Sequence, residues 1–265
     1  YKGIDLSLSY RDRIGEFVYS ISGIFSFTRD KQININEAYQ EYDYLYHTGY
    51  SKNQVYGLEA IGLFNSQVEI NNSPVQSFSV LRPGDIKYKD QNGDNVIDEK
   101  DVIRMYKTSV PEVYYGFSFN LAWRNFSMNV DFQGVTNKTV SLLNSPLYQP
   151  LVNNGNISQT FLDNEKTWTP EDPNNVSMPR LTTQTNNNNY RQGTLWYRNG
   201  SFLKLRNLEV AYDFPVVFRA INKMRLYLRG SNLFSIDHIK FADPEQLQAS
   251  YPSLRLFWAG IKLHF

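Results

Sequence analysis

Apolar residues alternate with small or polar ones in seven stretches of this chain, and the connections between the stretches run short, long, short, long, short, long. Successive side chains of an extended strand point to opposite faces, so such a stretch folds as a strand with one apolar and one polar side. Residues 3–10 set Ile4, Leu6, Leu8 and Tyr10 against Asp5, Ser7 and Ser9. Residues 16–28, 113–123, 126–137 and 224–235 behave in the same way; in 113–123, Tyr115, Phe117, Phe119 and Leu121 oppose Gly116, Ser118, Asn120 and Ala122. Residues 254–265 place Phe257, Ala259, Ile261, Leu263 and Phe265 on one face. Residues 202–214 fit less well, because Lys204 and Arg206 share the face of Phe202, Leu208, Val210, Tyr212 and Phe214.

The short connections are residues 11–15, 124–125 and 215–223, and the long ones are about 29–112, 138–201 and 236–253. Transmembrane barrels of bacterial outer membranes have short periplasmic turns and long extracellular loops, which demands this alternation. Seven stretches of roughly 9–11 residues suit an oblique bilayer crossing. The last connection is long, so the final strand runs toward the periplasm. Its alternate apolar residues end in Phe265, as in the terminal strand that barrel-assembly machinery reads.

Composition agrees. The 265 residues include 19 Tyr, 17 Phe and 4 Trp, yet the mean hydropathy is −0.48. Rich aromatics in a hydrophilic chain fit strands that are half wet, with aromatic girdles at both interfaces. No run approaches ~18 apolar residues, so a transmembrane helix is not expected. A net charge of +1 offers no basic field for nucleic acid. Zero Cys removes disulfides, thiolate metal sites and Cys nucleophiles. The opening residues YKGIDLSLSY read as the inside of a strand and not as a signal peptide, so the beginning is expected to have been removed by processing or truncation.

Residues 90–101 (DQNGDNVIDEKD) carry oxygen side chains at loop positions one, three, five, nine and twelve: Asp90, Asn92, Asp94, Asp98 and Asp101. With the Val96 carbonyl at seven, this is the spacing of an EF-hand-type loop, and it predicts structural Ca²⁺. Two positions depart from that pattern. Asn95 replaces the Gly at six, although Asn is the next residue to accept a left-handed turn. The shorter Asp101 replaces the bidentate Glu at twelve, which predicts modest affinity. The competing reading is a polar turn cluster.

Several segments resemble the SusC-like (SusC/RagA) TonB-dependent outer-membrane transporters of Bacteroidota. They are residues 55–64 (VYGLEAIGLF), 83–90 (PGDIKYKD), 113–117 (VYYGF), 132–134 (FQG), 168–173 (WTPEDP), 178–180 (MPR), 197–207 (YRNGSFLKLRN), 230–234 (GSNLF) and 251–253 (YPS). The resemblance implies an all-β fold in which residues 1–265 are the C-terminal part of a ~22-stranded barrel, strands sixteen to twenty-two. The plug domain, TonB box and first fifteen strands would lie outside this chain. It also implies energised import of glycans or oligopeptides under a SusD-like lipoprotein lid. The further partners would be TonB–ExbB–ExbD, outer-membrane lipid and a second transporter–lid pair. The barrel edge at residues 4–10 would be open without its neighbour, so this segment is expected to need further strands.

Among loop aromatics, Trp168, Tyr190, Trp196 and Tyr197 are candidate substrate contacts, because flat rings stack on sugars and Tyr adds a polar tip. Tyr39, Tyr42, Tyr44, Tyr46, Tyr50 and Tyr148 are further ring-bearing loop positions. Packing between loops, or against the lid, is the alternative for all of them. The polar tract 182–189, ending in four Asn, reads as solvated loop. Arg198, Lys204 and Arg206 could meet lipid headgroups or line the lumen mouth.

No catalytic role is expected. His47, His238 and His264 stand at no metal spacing, and the acid pairs Asp163/Glu165 and Glu171/Asp172 lie in polar loop sequence. No Gly-x-Ser-x-Gly elbow or phosphate-binding Gly loop is present. A secreted, calcium-stabilised β-rich glycan-binding module is the soluble alternative, and a diffusion porin shares the barrel but lacks an energised plug.

Overall fold

The computed structural model describes residues 1–143, 145, 148, 156–218, 221–239, 242–247 and 253–265. Tyr251 and Pro252 of the 251–253 motif lie outside the described residues. Seven antiparallel strands form one sheet in chain order: β1 (Lys2–Ile14), β2 (Phe17–Arg29), β3 (Val113–Trp123), β4 (Phe126–Thr136), β5 (Phe202–Phe218), β6 (Ile221–Asp237) and β7 (Leu256–His264). Each stretch read from periodicity is one of these strands. Among the described residues no helix is long and apolar enough to cross a membrane.

The register carries the alternation across the whole sheet. One ladder row runs Tyr10, Ile21, Phe119, Val130, Leu208, Gly230, Phe257, and the next runs Asp12, Tyr19, Leu121, Met128, Val210, Leu228, Ala259. The opposite face carries Ser22, Ser118, Asp131, Asn129 and Arg229. Among the described residues no second layer covers the apolar face: Leu228 is 64% and Phe257 75% exposed. Aromatic rings edge this face at both ends. Phe17, Trp123, Phe126 and Tyr212 form a row beside the short turns, and Phe25, Phe27, Tyr115, Phe117, Phe132 and Phe234 gather toward the long connections. From Phe17 to Phe27 a strand rises about 33 Å, or about 25 Å when tilted as barrel strands are. That is the height of a lipid-facing band.

Two turns are tighter than sequence predicts. β1 continues through Arg11, Asp12 and Arg13 to a two-residue turn at Gly15 and Glu16, with Gly15 at φ +61°. Charge does not interrupt a backbone ladder, and these side chains bond locally, Tyr10 Oη to Asp12 and Arg13 Nε to the Gly15 carbonyl. β5 and β6 likewise extend to Phe218 and from Ile221, with an irregularity in pairing after Pro215, which has no N–H to donate. Residues 219–220 lie outside the described set.

The misfit at 202–214 is a β-bulge. Asp131 pairs with Asn207 but Phe132 with Leu205, so Arg206 is an extra residue in β5. Parity changes there. Leu203 and Leu205 sit on the apolar face above the bulge and Leu208, Val210 and Tyr212 below it, which leaves Phe202 and Lys204 on the polar face.

The long connections are not featureless. They carry short paired strands, Gln54–Gly57 with Ile103–Thr108, Ala60–Leu63 with Ile86–Tyr88, Val75–Gln76 with Val96–Ile97 and Thr139–Ser141 with Tyr197–Asn199. Two buried clusters form there. One holds Leu142, Tyr148, Phe161, Met178 and Trp196, the other Leu58, Ile86, Tyr88 and Ile97, and Leu195 packs against both. The most buried apolar side chains thus lie outside the sheet.

Candidate functional site

All three long connections emerge at one end of the sheet, and the first two fold into a single body. Asp85, fully buried, lies at its centre. Its Oδ1 accepts from Asn186 Nδ2 (3.0 Å) and Asn189 Nδ2 (2.9 Å), and Arg180 Nε lies 2.8 Å from it. Its Oδ2 accepts from the Arg82 N–H at 2.8 Å. Asn189 Oδ1 accepts from the Ile86 N–H (2.9 Å), and Asn188 Nδ2 donates to the Ile86 carbonyl (2.9 Å). Gln76 links Asn188 Oδ1 (2.7 Å) to the Tyr88 N–H (2.8 Å). A buried amide or carboxylate left unpaired costs about 1–3 kcal/mol or more, so such a network fixes one arrangement of the segments it joins.

The Asn tract is therefore not solvated loop: Asn186, Asn188 and Asn189 are buried. A polar run without periodicity reads as exposed, and its partners lie about a hundred positions away. One signal was available, since Asp85 and Arg180 stand in two of the motifs quoted above, PGD and MPR.

The four candidate substrate-contact rings are drawn into this body. Trp196, Trp168 and Tyr197 are buried, and Tyr190 packs against Trp196 with ring centroids 5.6 Å apart. Their polar tips bond internally: Trp196 Nε1 to the Asn189 carbonyl (2.7 Å), Trp168 Nε1 to Asn65 Oδ1 (3.3 Å) and Tyr197 Oη to the Tyr56 carbonyl (2.8 Å). Burial pushes the Tyr197 phenol up to about 12. Packing between loops is the role this arrangement displays for them.

In the Asp-rich segment, Asn95 is left-handed at φ 64°, as position six of a calcium loop requires. Asp90 accepts N–H bonds from Gly93 (2.6 Å) and Asn95 (2.8 Å), Asp94 from Val96 (2.8 Å) and Asp98 from Lys100 (2.7 Å). Asp101, fully buried, accepts from Gln91 (2.7 Å) and Asp98 (2.8 Å). Asn92 Oδ1 accepts from the Asp94 N–H (3.0 Å). The turn thus has the left-handed residue at position six, with its side-chain oxygens directed at backbone N–H groups. Among the described residues no three acidic or His side chains converge on one point.

The third long connection reaches back to the bulge. Lys204, buried on the polar face, donates to Asp243 Oδ1 (2.5 Å) and Glu245 Oε2 (2.7 Å), and Arg206 Nη2 donates to Glu245 Oε1 (2.6 Å). Burial raises the pKa of both acids, but it is outweighed at Asp243 by bonds from Lys204, Ser253 and the Glu245 N–H, and at Glu245 by bonds from Arg206 and Lys204, which leaves both below the ordinary carboxylate range. Of the three cations noted in the sequence, two are thus paired on the polar side of the sheet, and Arg198 forms no ion pair among the described residues.

A meander with one uncovered apolar face, aromatic rows at both its edges and every long connection at one end is part of a transmembrane β-barrel. No protein-family model matches the chain. It is 28% identical over 231 residues to TonB-dependent receptor P26 of Formosa agariphila, an alignment that covers 79% of this chain and 22% of that protein. It is 23% identical to TonB-dependent receptor P3 of the same organism, over 100% of this chain and 28% of that protein. The chain therefore spans less than a third of the length of either relative. Its fold is similar to the RagAB peptide transporter, with a TM-score of 0.70 and 22% identity over 98% of this chain and 29% of that one. For the RagAB peptide importer in its open-open state the TM-score is 0.69, with 23% identity over 99% of this chain and 28% of that one. In sequence and in fold, the chain resembles part of a SusC-like TonB-dependent transporter.

Proposed function

We propose that this chain is the C-terminal part of the barrel of an outer-membrane transporter that imports large nutrients. The observation that carries the reading is the uncovered apolar face, about 25 Å tall between its aromatic rows, with a packed loop body at one end only. Alternate residues face lipid, the Ser, Asn and Asp positions line a wet interior, and the loop body forms the extracellular mouth. The relatives are named receptors and importers rather than enzymes, and no catalytic step is assigned to this chain.

The remaining strands, the plug and the TonB box belong on this reading to the rest of a longer protein. TonB–ExbB–ExbD would supply the energy, a SusD-like lipoprotein would close over the mouth, and two such pairs would assemble together. The cargo is a glycan or an oligopeptide. Fractionation of the full-length protein, with mass spectrometry of what co-purifies in mild detergent, tests this. Outer-membrane recovery with a lipoprotein partner is expected. Recovery in the secreted soluble fraction, alone, would leave the glycan-binding module in its place.

Structural Ca²⁺ at Asp90, Asn92, Asp94, Val96, Asp98 and Asp101 is a separate part of the proposal, supported by the spacing and by the left-handed Asn95. Binding would have to draw the carboxylates away from their N–H partners, which argues for weak affinity. Titration of the full-length protein with Tb³⁺, read by its luminescence and by competition with Ca²⁺, decides it. Signal that persists in D90N/D94N would exclude this loop.

A further inference from the structure

Arg198 leads to a site that the barrel reading does not use. It borders a cavity of about 460 Å³ together with Lys107, Lys138, Asn199, Tyr106 and Tyr197. No Asp or Glu lines this cavity, and none of its three cations forms an ion pair among the described residues. For a chain of net charge +1 this is a strong local excess.

Arg198 and Lys138 have their side chains held, and Lys107 has its backbone held. Arg198 Nη1 donates to the carbonyls of Leu195 (2.6 Å) and Tyr197 (3.0 Å). Lys138 lies across Gly200, where an added Cβ would fall 3.1 Å from its Cγ and Cδ, and the Gly200 N–H bonds the Lys138 carbonyl at 2.8 Å. The Lys107 segment is tied down by Thr139 Oγ1, which accepts from the Lys107 N–H and donates to its carbonyl, both at 3.0 Å. Burial holds the Lys138 ammonium below its ordinary value, against the pull of Glu245. Two cations with packed or hydrogen-bonded side chains, Arg198 and the half-buried Lys138, and a third, Lys107, whose backbone is anchored beside them, converge on one cavity with no acid partner among the described residues and form a receptor for an anion.

Tyr106 adds a flat wall. It is 61% exposed and sits at φ 42°, a left-handed conformation that a bulky aromatic residue rarely adopts. Its ring lines the opening and makes a T-shaped contact with Tyr197, centroids 6.4 Å apart. A neighbouring groove of about 610 Å³ shares Tyr106 and Lys107 and adds Arg29, Lys31 and Arg104. Its two acids are engaged, Glu112 by Arg29 and Asp30 by Ser51 and the Lys52 N–H. Cationic lining thus continues on both sides of Tyr106.

We infer that this cavity is a subsite for an anionic sugar, sulfated or carboxylated, within a longer saccharide. The cations meet its charged group and the Tyr106 ring meets its apolar face. The inference narrows the cargo class and rests on the import reading only for the ligand's role as cargo. Binding itself is measured on purified protein and stands or falls independently of where the protein is located.

The test uses the full-length protein in detergent, titrated calorimetrically with sulfated dextran oligosaccharide, neutral dextran oligosaccharide of equal length, and oligoglutamate. Sulfated dextran is expected to bind at least about ten-fold tighter than neutral dextran, an advantage that shrinks between about 50 and 500 mM NaCl. K107Q and R198Q are each expected to reduce that affinity about ten-fold. Lys107 is exposed, so K107Q tests the site without threatening the fold. Equal affinity for both dextrans, or affinity unchanged in both variants, overturns the assignment. Oligoglutamate binding as tightly as sulfated dextran overturns the sugar and leaves an acidic peptide.

Discussion

Asn189 donates through Nδ2 to Oδ1 of Asp85 at 2.9 Å, across 104 positions of sequence and with both side chains fully buried. The two residues belong to different connections of the barrel, so this bond is one of the points at which two loops become one body. Asn189→Leu removes a donor from a buried carboxylate and an acceptor from the Ile86 N–H. We expect the loop body to lose about 2–5 kcal/mol. Hydrogen exchange of residues 76–90 and 180–197 in the full-length protein should rise while that of the strands stays unchanged.

Gly84 supports the same junction. It sits at φ +88°, and a Cβ there would fall 2.4 Å from Trp168 Cε3. Gly84→Ala therefore combines backbone strain with a clash against an indole that is itself hydrogen bonded. A loss of about 2–4 kcal/mol is expected. Limited proteolysis within 165–180 should accelerate. Val80→Ala, at an exposed position nearby, should leave the rate unchanged.

The clamp from Lys204 and Arg206 to Asp243 and Glu245 should be sensitive to acid. Both carboxyls titrate below their unfolded range in the folded protein. Their contribution is full above about pH 4.3 and is lost as the pH falls through the lowered folded values. Proteolysis of residues 238–247 by pepsin should therefore show a step in that acid range. Lys204→Met should make the loop susceptible well above it, and a rate that does not change with pH would remove the clamp from the account.

Neighbouring residues on opposite faces test the membrane assignment. Val130 pairs with Phe119 and Leu208 on the apolar face, whereas Asn129 pairs with Asn120 and Glu209 on the polar one. Val130→Arg should cost about 2–4 kcal/mol of folding into bilayers, and Asn129→Arg little. Heat-modifiable gel mobility after folding into vesicles measures both. Equal effects would mean that neither face meets lipid.

The seven strands were legible because alternation is a local property, set every two residues by the pleat. The loop body was not. Its network joins Gln76 and Asp85 to Asn186, Asn188 and Asn189, and nothing near the Asn tract marks it as interior. Trp168 and Trp196 were noticed as rings, but whether a ring faces cargo or core depends on partners such as Asn65 and the Asn189 carbonyl, which are distant or set by the fold. Tyr106 and Lys138 were not singled out in the sequence, since a strained φ and an unpaired ammonium exist only in three dimensions.

The extra residue at Arg206 bears on how this strand is matched to its relatives, residue by residue. Above it the lipid-facing positions of β5 are odd-numbered, and below it they are even-numbered. A relative without the bulge, matched to this strand without a gap, would have its lipid-facing and channel-facing residues exchanged at the mouth while the membrane-spanning part stayed in step. Residue roles assigned by position would then be inverted at that end of the strand, and the correct placement of one gap decides which side chains are compared.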